Sequence, residues 1–114
     1  MRKLTFDFGD PQIEINGIVF ELEKSDIEIC EIARNAQRRF ESIDKNDYDN
    51  VLEACRETAK DIDSILGAGA LAKLSCGKPV GVMKQIEILV AIASEGTKEY
   101  QDYVKAEYLP DDNG

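Results

Sequence analysis

The sequence predicts an α+β fold, in which an N-terminal antiparallel β-hairpin or three-stranded meander precedes a bundle of about four helices. Apolar and polar residues alternate over the first 23 residues, and an Asn-Gly dipeptide separates two of the alternating runs. From residue 25 onward, apolar residues recur every three or four positions, which is typical of helices. At 114 residues the chain is long enough for one domain. We expect a single α+β domain over 1–110, with β structure in 1–23, helices in 25–109 and a disordered tail at 111–114.

The hairpin is predicted by its turn and by its alternating pattern together. The Asn-Gly dipeptide at 16–17 favours a type I′ turn, which needs positive φ at both central residues. A two-residue turn pairs Ile15 with Ile18 and Ile13 with Phe20. One face of the hairpin is then apolar and comprises Ile13, Ile15, Ile18, Phe20 and Leu22. The opposite face carries Glu14, Val19, Glu21 and Glu23.

A further strand is predicted near the N-terminus. Leu4, Phe6 and Phe8 alternate with polar residues, and the Gly-Asp-Pro segment at 9–11 breaks the run. This strand would extend the hairpin to a three-stranded meander.

The boundaries of the first two helices follow from their caps. Ser25 and Glu28 form a capping box, so the first helix begins there and extends to about Ile43. Asp47 is expected to cap a second helix, which ends at Gly67. The apolar stripe predicted for the second helix comprises Val51 or Leu52, Cys55, Ala59, Ile62 and Leu66.

Two more helices are predicted after this point. A short helix over about 70–74 is closed by Gly77. The last helical stretch follows Pro79, and Gly96 is expected to kink or split it. Its predicted apolar stripe comprises Val82, Met83, Ile86, Leu89, Val90 and Ala93.

Charge and composition exclude several classes of function. The chain carries 14 Lys and Arg against 23 Asp and Glu, a formal net charge of −9, which argues against binding to nucleic acids or anionic membranes. No apolar run reaches the length of about 18 residues that a membrane span needs, and the first residues lack the apolar core of a signal peptide. We therefore expect a cytoplasmic protein.

Catalysis is not predicted either. The chain contains no histidine, which removes the usual nucleophile-activating base and the commonest metal ligand. Its three cysteines are too far apart for a metal knuckle. The glycine-rich stretch at 67–77 lacks a phosphate-loop pattern, because Ala72 and Pro79 stand where a glycine and a hydroxyl residue are required. We predict no enzyme activity, no cofactor and no metal site.

Two groups of residues are candidates for contact with a protein partner. Arg34, Arg38 and Arg39 form a basic cluster, which serves either partner contact or surface solubility. The partner-binding residues that we predict are Val19, on the outer face of the hairpin, and the tyrosines near the C-terminus, Tyr100, Tyr103 and Tyr108. The tyrosines have an alternative role, in which they close the edge of the core with their hydroxyls in water.

Several short motifs resemble those of small tail assembly chaperones of long-tailed phages and prophages of Gram-positive bacteria. These motifs are Ile-Asn-Gly-Ile-Val-Phe at 15–20, the corner Asp-Ser-Ile-Leu-Gly-Ala-Gly at 63–69 with the Leu-Ala-Lys-Leu segment that follows, and the tyrosine-rich ending at 99–110. The resemblance covers the chain roughly from Ile13 to Pro110.

The resemblance implies a non-enzymatic function. Proteins of this kind bind the long, hydrophobic, helical tape measure protein in the host cytoplasm and keep it soluble. They also help to recruit the major tail protein and are not retained in the virion. Two alternatives stay open: a structural phage tail or head-completion protein, and a small bacterial protein-binding regulator or adaptor. The exposed edge of the hairpin adds the expectation of a homo-oligomer, as an open head-to-tail array.

Overall fold

The described residues form an α+β fold in which a two-stranded hairpin precedes four helices. The computed structural model describes residues 2–6 and 11–107, with side chains described up to residue 95. The order of the elements within these residues is β1 (Gln12–Ile15), β2 (Ile18–Glu21), α1 (Asp26–Ser42), α2 (Tyr48–Leu66), α3 (Ala70–Leu74) and α4 (Val82–Glu107). The prediction of an α+β fold, in which a hairpin precedes about four helices, is confirmed.

The hairpin has the predicted turn and register. Strands β1 and β2 are antiparallel, and Ile13 pairs with Phe20 while Ile15 pairs with Ile18. The turn residues at 16–17 have φ values of 53° and 80°, as a type I′ turn requires. The inner face of the hairpin packs against the hydrophobic core, and Phe20 is buried. Turn chemistry and side-chain alternation therefore specify one register.

Two backbone hydrogen bonds extend and anchor the hairpin. The Leu22 N–H donates to the Pro11 carbonyl at 2.9 Å, which continues the ladder beyond the strands. The Glu23 N–H donates to the Ile65 carbonyl at 2.8 Å, in the last turn of α2. Because a helix leaves its last carbonyls without intrahelical partners, this bond satisfies one of them and joins the hairpin to the helices.

The predicted N-terminal strand is not observed. Residues 2–6 form no strand, and the side chains of Leu4 and Phe6 are 82% and 70% exposed. Residues 7–10, which include Phe8, lie outside the described residues. The sheet therefore has two strands in the part of the chain that is described. Alternation shows which side chains a strand would bury, but a strand forms only when its backbone pairs with a neighbour.

The first two helices begin and end as predicted. The Glu28 N–H donates to the Ser25 hydroxyl at 3.3 Å and the Glu28 carboxylate accepts from the Ser25 N–H at 3.4 Å, which completes the capping box of α1. The Asp47 carboxylate accepts from the Asp49 N–H at 3.0 Å and caps α2. Helix α2 ends before Gly67, whose φ of 109° lies outside the range that other residues readily adopt.

The last two helices also follow the prediction, with one difference. Helix α3 spans five residues, and the positive φ of 78° at Gly77 accompanies its closure. Helix α4 continues for 26 residues through Gly96, so the expected split does not occur. A single glycine inside a helix costs only about 1 kcal/mol relative to alanine, which the packing of the preceding turns can offset. Tyr108 and the predicted tail at 111–114 lie outside the described residues.

The core forms where α4 packs against both α1 and α2. Burying one isoleucine or leucine side chain stabilises a fold by about 1.5–3 kcal/mol, and several are fully buried here. The buried cluster comprises Phe20, Ile29, Ala33, Ala36, Ile62, Ile65, Leu66, Ala70, Leu89 and Ile92.

The buried face of α2 agrees with the predicted stripe at Ile62 and Leu66 and departs from it earlier in the helix. It is centred on Ala54, Thr58 and Ile62, whereas Cys55 and Ala59 are only half-buried. The Thr58 hydroxyl donates to the Ala54 carbonyl at 2.7 Å, so this polar residue enters the core with a hydrogen-bond partner. A pattern of apolar letters does not reveal such a residue.

Candidate functional site

A groove of about 500 Å³ lies between β1 and α4, and we refer to it as the β1–α4 groove. Successive side chains of a strand alternate between faces, so Ile13 and Ile15 lie on the same face of β1. On α4, residues three and four positions apart share a face, which groups Ile88 with Ala91 and Ile92. These five residues supply the apolar part of the groove lining.

The apolar lining is only partly covered by the rest of the protein. Ile92 is buried, with 4% of its surface exposed, whereas Ile13, Ile15 and Ile88 are half-buried. Ala91 is exposed. The groove is therefore continuous with the core on one side and open to solvent on the other, which is a typical arrangement for a surface that binds an apolar ligand.

Acidic residues also line the groove. Glu14 belongs to β1, while Glu87 and Glu95 belong to α4, and all three are exposed. Lys84 lies 3.0 Å from the Glu87 carboxylate, but both side chains are more than 60% exposed, so the pair neutralises little of the local charge. An apolar segment with basic residues beside it would match this combination of lining and charge.

The outer edge of β1 borders the same groove. In an antiparallel ladder, alternate residues direct their backbone groups toward the partner strand. The backbone groups of Pro11, Ile13 and Ile15 face β2 in this ladder. The N–H and C=O groups of Gln12 and Glu14 therefore point away from β2. Among the described residues, no backbone hydrogen bond from another segment reaches this edge. The groove thus combines apolar side chains with backbone groups that no other described segment pairs with.

A second cavity of about 290 Å³ lies between α2, α3 and the start of α4. Its lining includes Asp63, whose carboxylate accepts hydrogen bonds from the N–H groups of Gly69, at 3.2 Å, and Leu71, at 3.0 Å. Gln85 also lines it; this residue is 2% exposed, and its Nε2 donates to the Val80 carbonyl at 3.4 Å. The polar groups of this cavity thus mainly hold α3 and the start of α4 in place.

Glu28 is a titratable residue of the capping box of α1. The hydroxyl and the backbone N–H of Ser25 donate to the Glu28 carboxylate and lower its pKa, but this residue caps α1 and lies outside the groove. The described part of the chain contains no group of three His, Cys, Asp or Glu residues placed to hold a metal ion. Among the same described residues, no helix is both long enough and apolar enough to span a membrane.

Of the residues predicted to bind a partner, Val19 has a described side chain. Val19 is 56% exposed and pairs across the hairpin with Glu14, but it lies on β2 and does not line the groove. Tyr100 and Tyr103 belong to the C-terminal half of α4, where side chains are not described, and Tyr108 lies outside the described residues.

The basic cluster has a partly structural role. The Arg39 guanidinium pairs with Glu57 at 2.7 Å and with Asp61 at 3.1 Å, and therefore links α1 to α2. Arg34 and Arg38 are exposed. The Arg39 guanidinium is therefore engaged by α2, and partner contact by this cluster stays a prediction.

The side of α4 that lines the groove was not predicted from the sequence. The predicted stripe included Met83, which is 64% exposed, and omitted Ile88 and Ile92. The missed signal is that residues 88–93 are all apolar. A helix that is apolar on every side must be covered on more than one face. That pattern could have predicted a second contact surface on α4, although not its position beside β1.

No protein-family model, no curated protein and no solved structure matches the chain.

Proposed function

We propose that the protein is a non-enzymatic tail assembly chaperone of a long-tailed phage or prophage. It binds the tape measure protein in the host cytoplasm and keeps it soluble during tail assembly. The observation that carries the proposal is the β1–α4 groove, where an apolar lining is open to solvent beside exposed carboxylates. The resemblance of the sequence motifs to such chaperones supplies the identity of the client.

The groove suits a client that exposes apolar side chains before assembly. A volume of about 500 Å³ falls within the range of pockets that bury a small ligand, so it accommodates a few side chains of a longer chain. Burial of apolar surface drives such an association without a requirement for one sequence. Each copy then protects a short stretch, and a long client binds several copies.

The charge of the protein supports the same function. A chaperone bound to an apolar client must supply the solubility that the client lacks. The formal net charge of −9 keeps complexes apart by mutual repulsion. Glu14, Glu87 and Glu95 place part of that charge beside the groove, where it also favours client segments with lysine or arginine.

The proposal includes two further partners. The major tail protein is recruited to the client, and copies of the chaperone associate with one another as a homo-oligomer. Val19 on the outer face of the hairpin is exposed, so it is available for either contact. Tyr100, Tyr103 and Tyr108 are the other residues that we assign to these contacts.

Co-expression with a fragment of the tape measure protein tests the proposal. We expect the fragment to appear in the soluble fraction with the wild-type chaperone and in the pellet without it. Ala91→Asp introduces a charge at an exposed position of the groove and should return the fragment to the pellet. Asn50→Asp makes the same change of charge at an exposed position on α2 and should behave as the wild type.

Two results would contradict the proposal. The first is a fragment that stays in the pellet with the wild-type protein, although the chaperone itself is soluble and folded. The second is recovery of the protein in purified phage particles in stoichiometric amounts, because this would identify a structural component of the tail or head.

A further inference from the structure

We infer that the β1–α4 groove is a strand-addition site whose occupant is the N-terminal segment of the same chain, residues 2–6. In the structure this segment forms no strand, and the groove has a side that is open to solvent. The inference adds a second state, in which the segment pairs with the outer edge of β1 and covers the groove. It concerns the isolated protein and does not depend on the identity of any client.

The acceptor is the outer backbone edge of β1, which no backbone hydrogen bond from another described segment reaches. The N–H and C=O groups of Glu14 point away from β2, toward the groove. An antiparallel strand that pairs with Glu14 satisfies both groups. Ile13 and Ile15, on either side of it along the strand, direct their side chains into the groove. The acceptor therefore selects an extended segment with apolar side chains at alternate positions.

The N-terminal segment has this pattern. Leu4 and Phe6 flank Thr5, and both apolar side chains are exposed in the structure. When Thr5 pairs with Glu14, Leu4 lies opposite Ile15 and Phe6 lies opposite Ile13. The two apolar side chains of the segment then enter the groove between β1 and α4. If the pairing shifted by one residue, the Thr5 side chain would enter the groove in place of the two apolar side chains. The alternation of apolar and polar residues therefore selects one register.

Charge favours the same occupant. Arg2 and Lys3 precede the apolar residues, and they are basic residues in an acidic chain. The groove carries Glu14, Glu87 and Glu95. Docking therefore brings two positive charges to three negative ones, whereas most other segments of this protein would bring further negative charge.

The connection between donor and acceptor is short enough for the segment to reach. Four residues, 7–10, separate the segment from Pro11, and Gly9 is among them. Reversals of four or five residues commonly join antiparallel strands. A tether of this length keeps the segment at a high effective concentration near its own groove, which favours it over a free peptide of the same affinity. Docking also covers an edge that could otherwise pair with another molecule.

Amide hydrogen exchange, measured by NMR on the full chain, tests the inference. We expect the Glu14 amide of the wild type to exchange at least ten times more slowly than in the double variant Leu4→Ser and Phe6→Ser. Thr5→Ser is the matched control, because it changes the same segment at the position that faces away from the groove; it should retain the wild-type protection. Ala91→Asp alters the groove rather than the segment and should also remove the protection.

The protection must be independent of protein concentration if the segment docks within its own chain. Equal exchange at Glu14 in the wild type and the double serine variant would overturn the inference. Protection that rises with concentration, together with a larger sedimentation coefficient, would also overturn it, because the occupant would then be a second copy. All variants change exposed residues, and an unchanged circular dichroism spectrum verifies their fold.

Discussion

The Arg39 guanidinium lies 2.7 Å from the Glu57 carboxylate and thereby connects the last turn of α1 to the middle of α2. The same guanidinium pairs with Asp61 at 3.1 Å and reaches the Thr58 hydroxyl at 3.4 Å. Only 27% of the Arg39 side chain is exposed, so these interactions are less screened than those of a fully solvated ion pair. These interactions join α1 to α2.

We expect Arg39→Gln to lower the free energy of unfolding by about 1 kcal/mol, since the network has two carboxylates and one of its partners is buried. Urea denaturation would measure the change, and a smaller effect at high salt would identify its electrostatic part. Arg38→Gln, at an exposed neighbouring position, should change stability by less than about 0.5 kcal/mol. Equal effects of the two substitutions would contradict a specific role for Arg39.

The corner between α2 and α3 depends on Asp63. Its carboxylate accepts hydrogen bonds from the N–H groups of Gly69 and Leu71, which are among the groups that the short helix leaves unpaired. Asp63→Ala should lower stability by about 0.5–2 kcal/mol, the range for loss of a helix cap. Thermal denaturation checks this value, with Glu53→Ala at an exposed position of α2 as the control. A loss no larger than that of the control would show that the cap contributes little.

The hairpin turn requires left-handed backbone at Gly17, where φ is 80°. A Cβ at this position would meet no atom within 4 Å, so a substitution acts through backbone conformation and not through a clash. Gly17→Ala should cost about 1–2 kcal/mol because left-handed backbone is unfavourable for residues with a Cβ. Gly17→Asn should cost less, since asparagine tolerates this conformation. Chemical denaturation compares the two, and an equal loss would contradict the conformational explanation.

The capping box of α1 predicts a dependence of stability on pH. Hydrogen bonds from the hydroxyl and the backbone N–H of Ser25 lower the pKa of Glu28 in the folded state from 4.5. A carboxylate with a depressed native pKa contributes stability above its unfolded pKa and loses it as the pH falls through the native pKa. Ser25→Ala should therefore destabilise the protein more at neutral pH than in acid.

Urea midpoints of the wild type and Ser25→Ala at neutral pH and near pH 3 measure this difference. The substitution also removes the hydroxyl that accepts from the Glu28 N–H, so some loss remains in acid. A loss that stays constant with pH would show that the charge of Glu28 contributes nothing to the cap.

The proposed partner surface gives a prediction for Val19 and the tyrosines. Replacing Val19, Tyr100, Tyr103 or Tyr108 by lysine should disrupt client binding or self-association while leaving the circular dichroism spectrum unchanged. Val19 is exposed, so its substitution should not disturb the core. Co-sedimentation with the client fragment and analytical ultracentrifugation measure the two effects. Asn50→Lys is the control; if it had the same effect as the four substitutions, the result would reflect net charge alone.

Features that depend on neighbouring residues were predictable from the sequence. The register between Ile13 and Phe20 follows from a two-residue turn, and the starts of α1 and α2 follow from Ser25 and Asp47. In each case the interacting groups lie within a few residues, so the local pattern contains the whole interaction. The same argument holds for the end of α2 at Gly67.

The candidate site was not predictable in this way. Ile13 and Ile88 line one groove although 75 positions separate 13 from 88 in the chain, and their proximity depends on how α4 packs against α1 and α2. The buried position of Thr58 likewise depends on a hydrogen bond to Ala54 that a hydrophobic pattern does not show. Pairing of the Leu4 segment requires a distant edge, and alternation alone does not establish it.

The amino-acid sequence by itself determined the class of fold, the hairpin register and the ends of the first two helices, because turns and caps are interactions between close neighbours along the chain. Only the tertiary structure decided which faces of α2 and α4 are buried, which arginine is paired and where an apolar groove remains open. These features arise when helices distant in sequence pack together, since packing selects among several apolar faces that the sequence leaves equivalent.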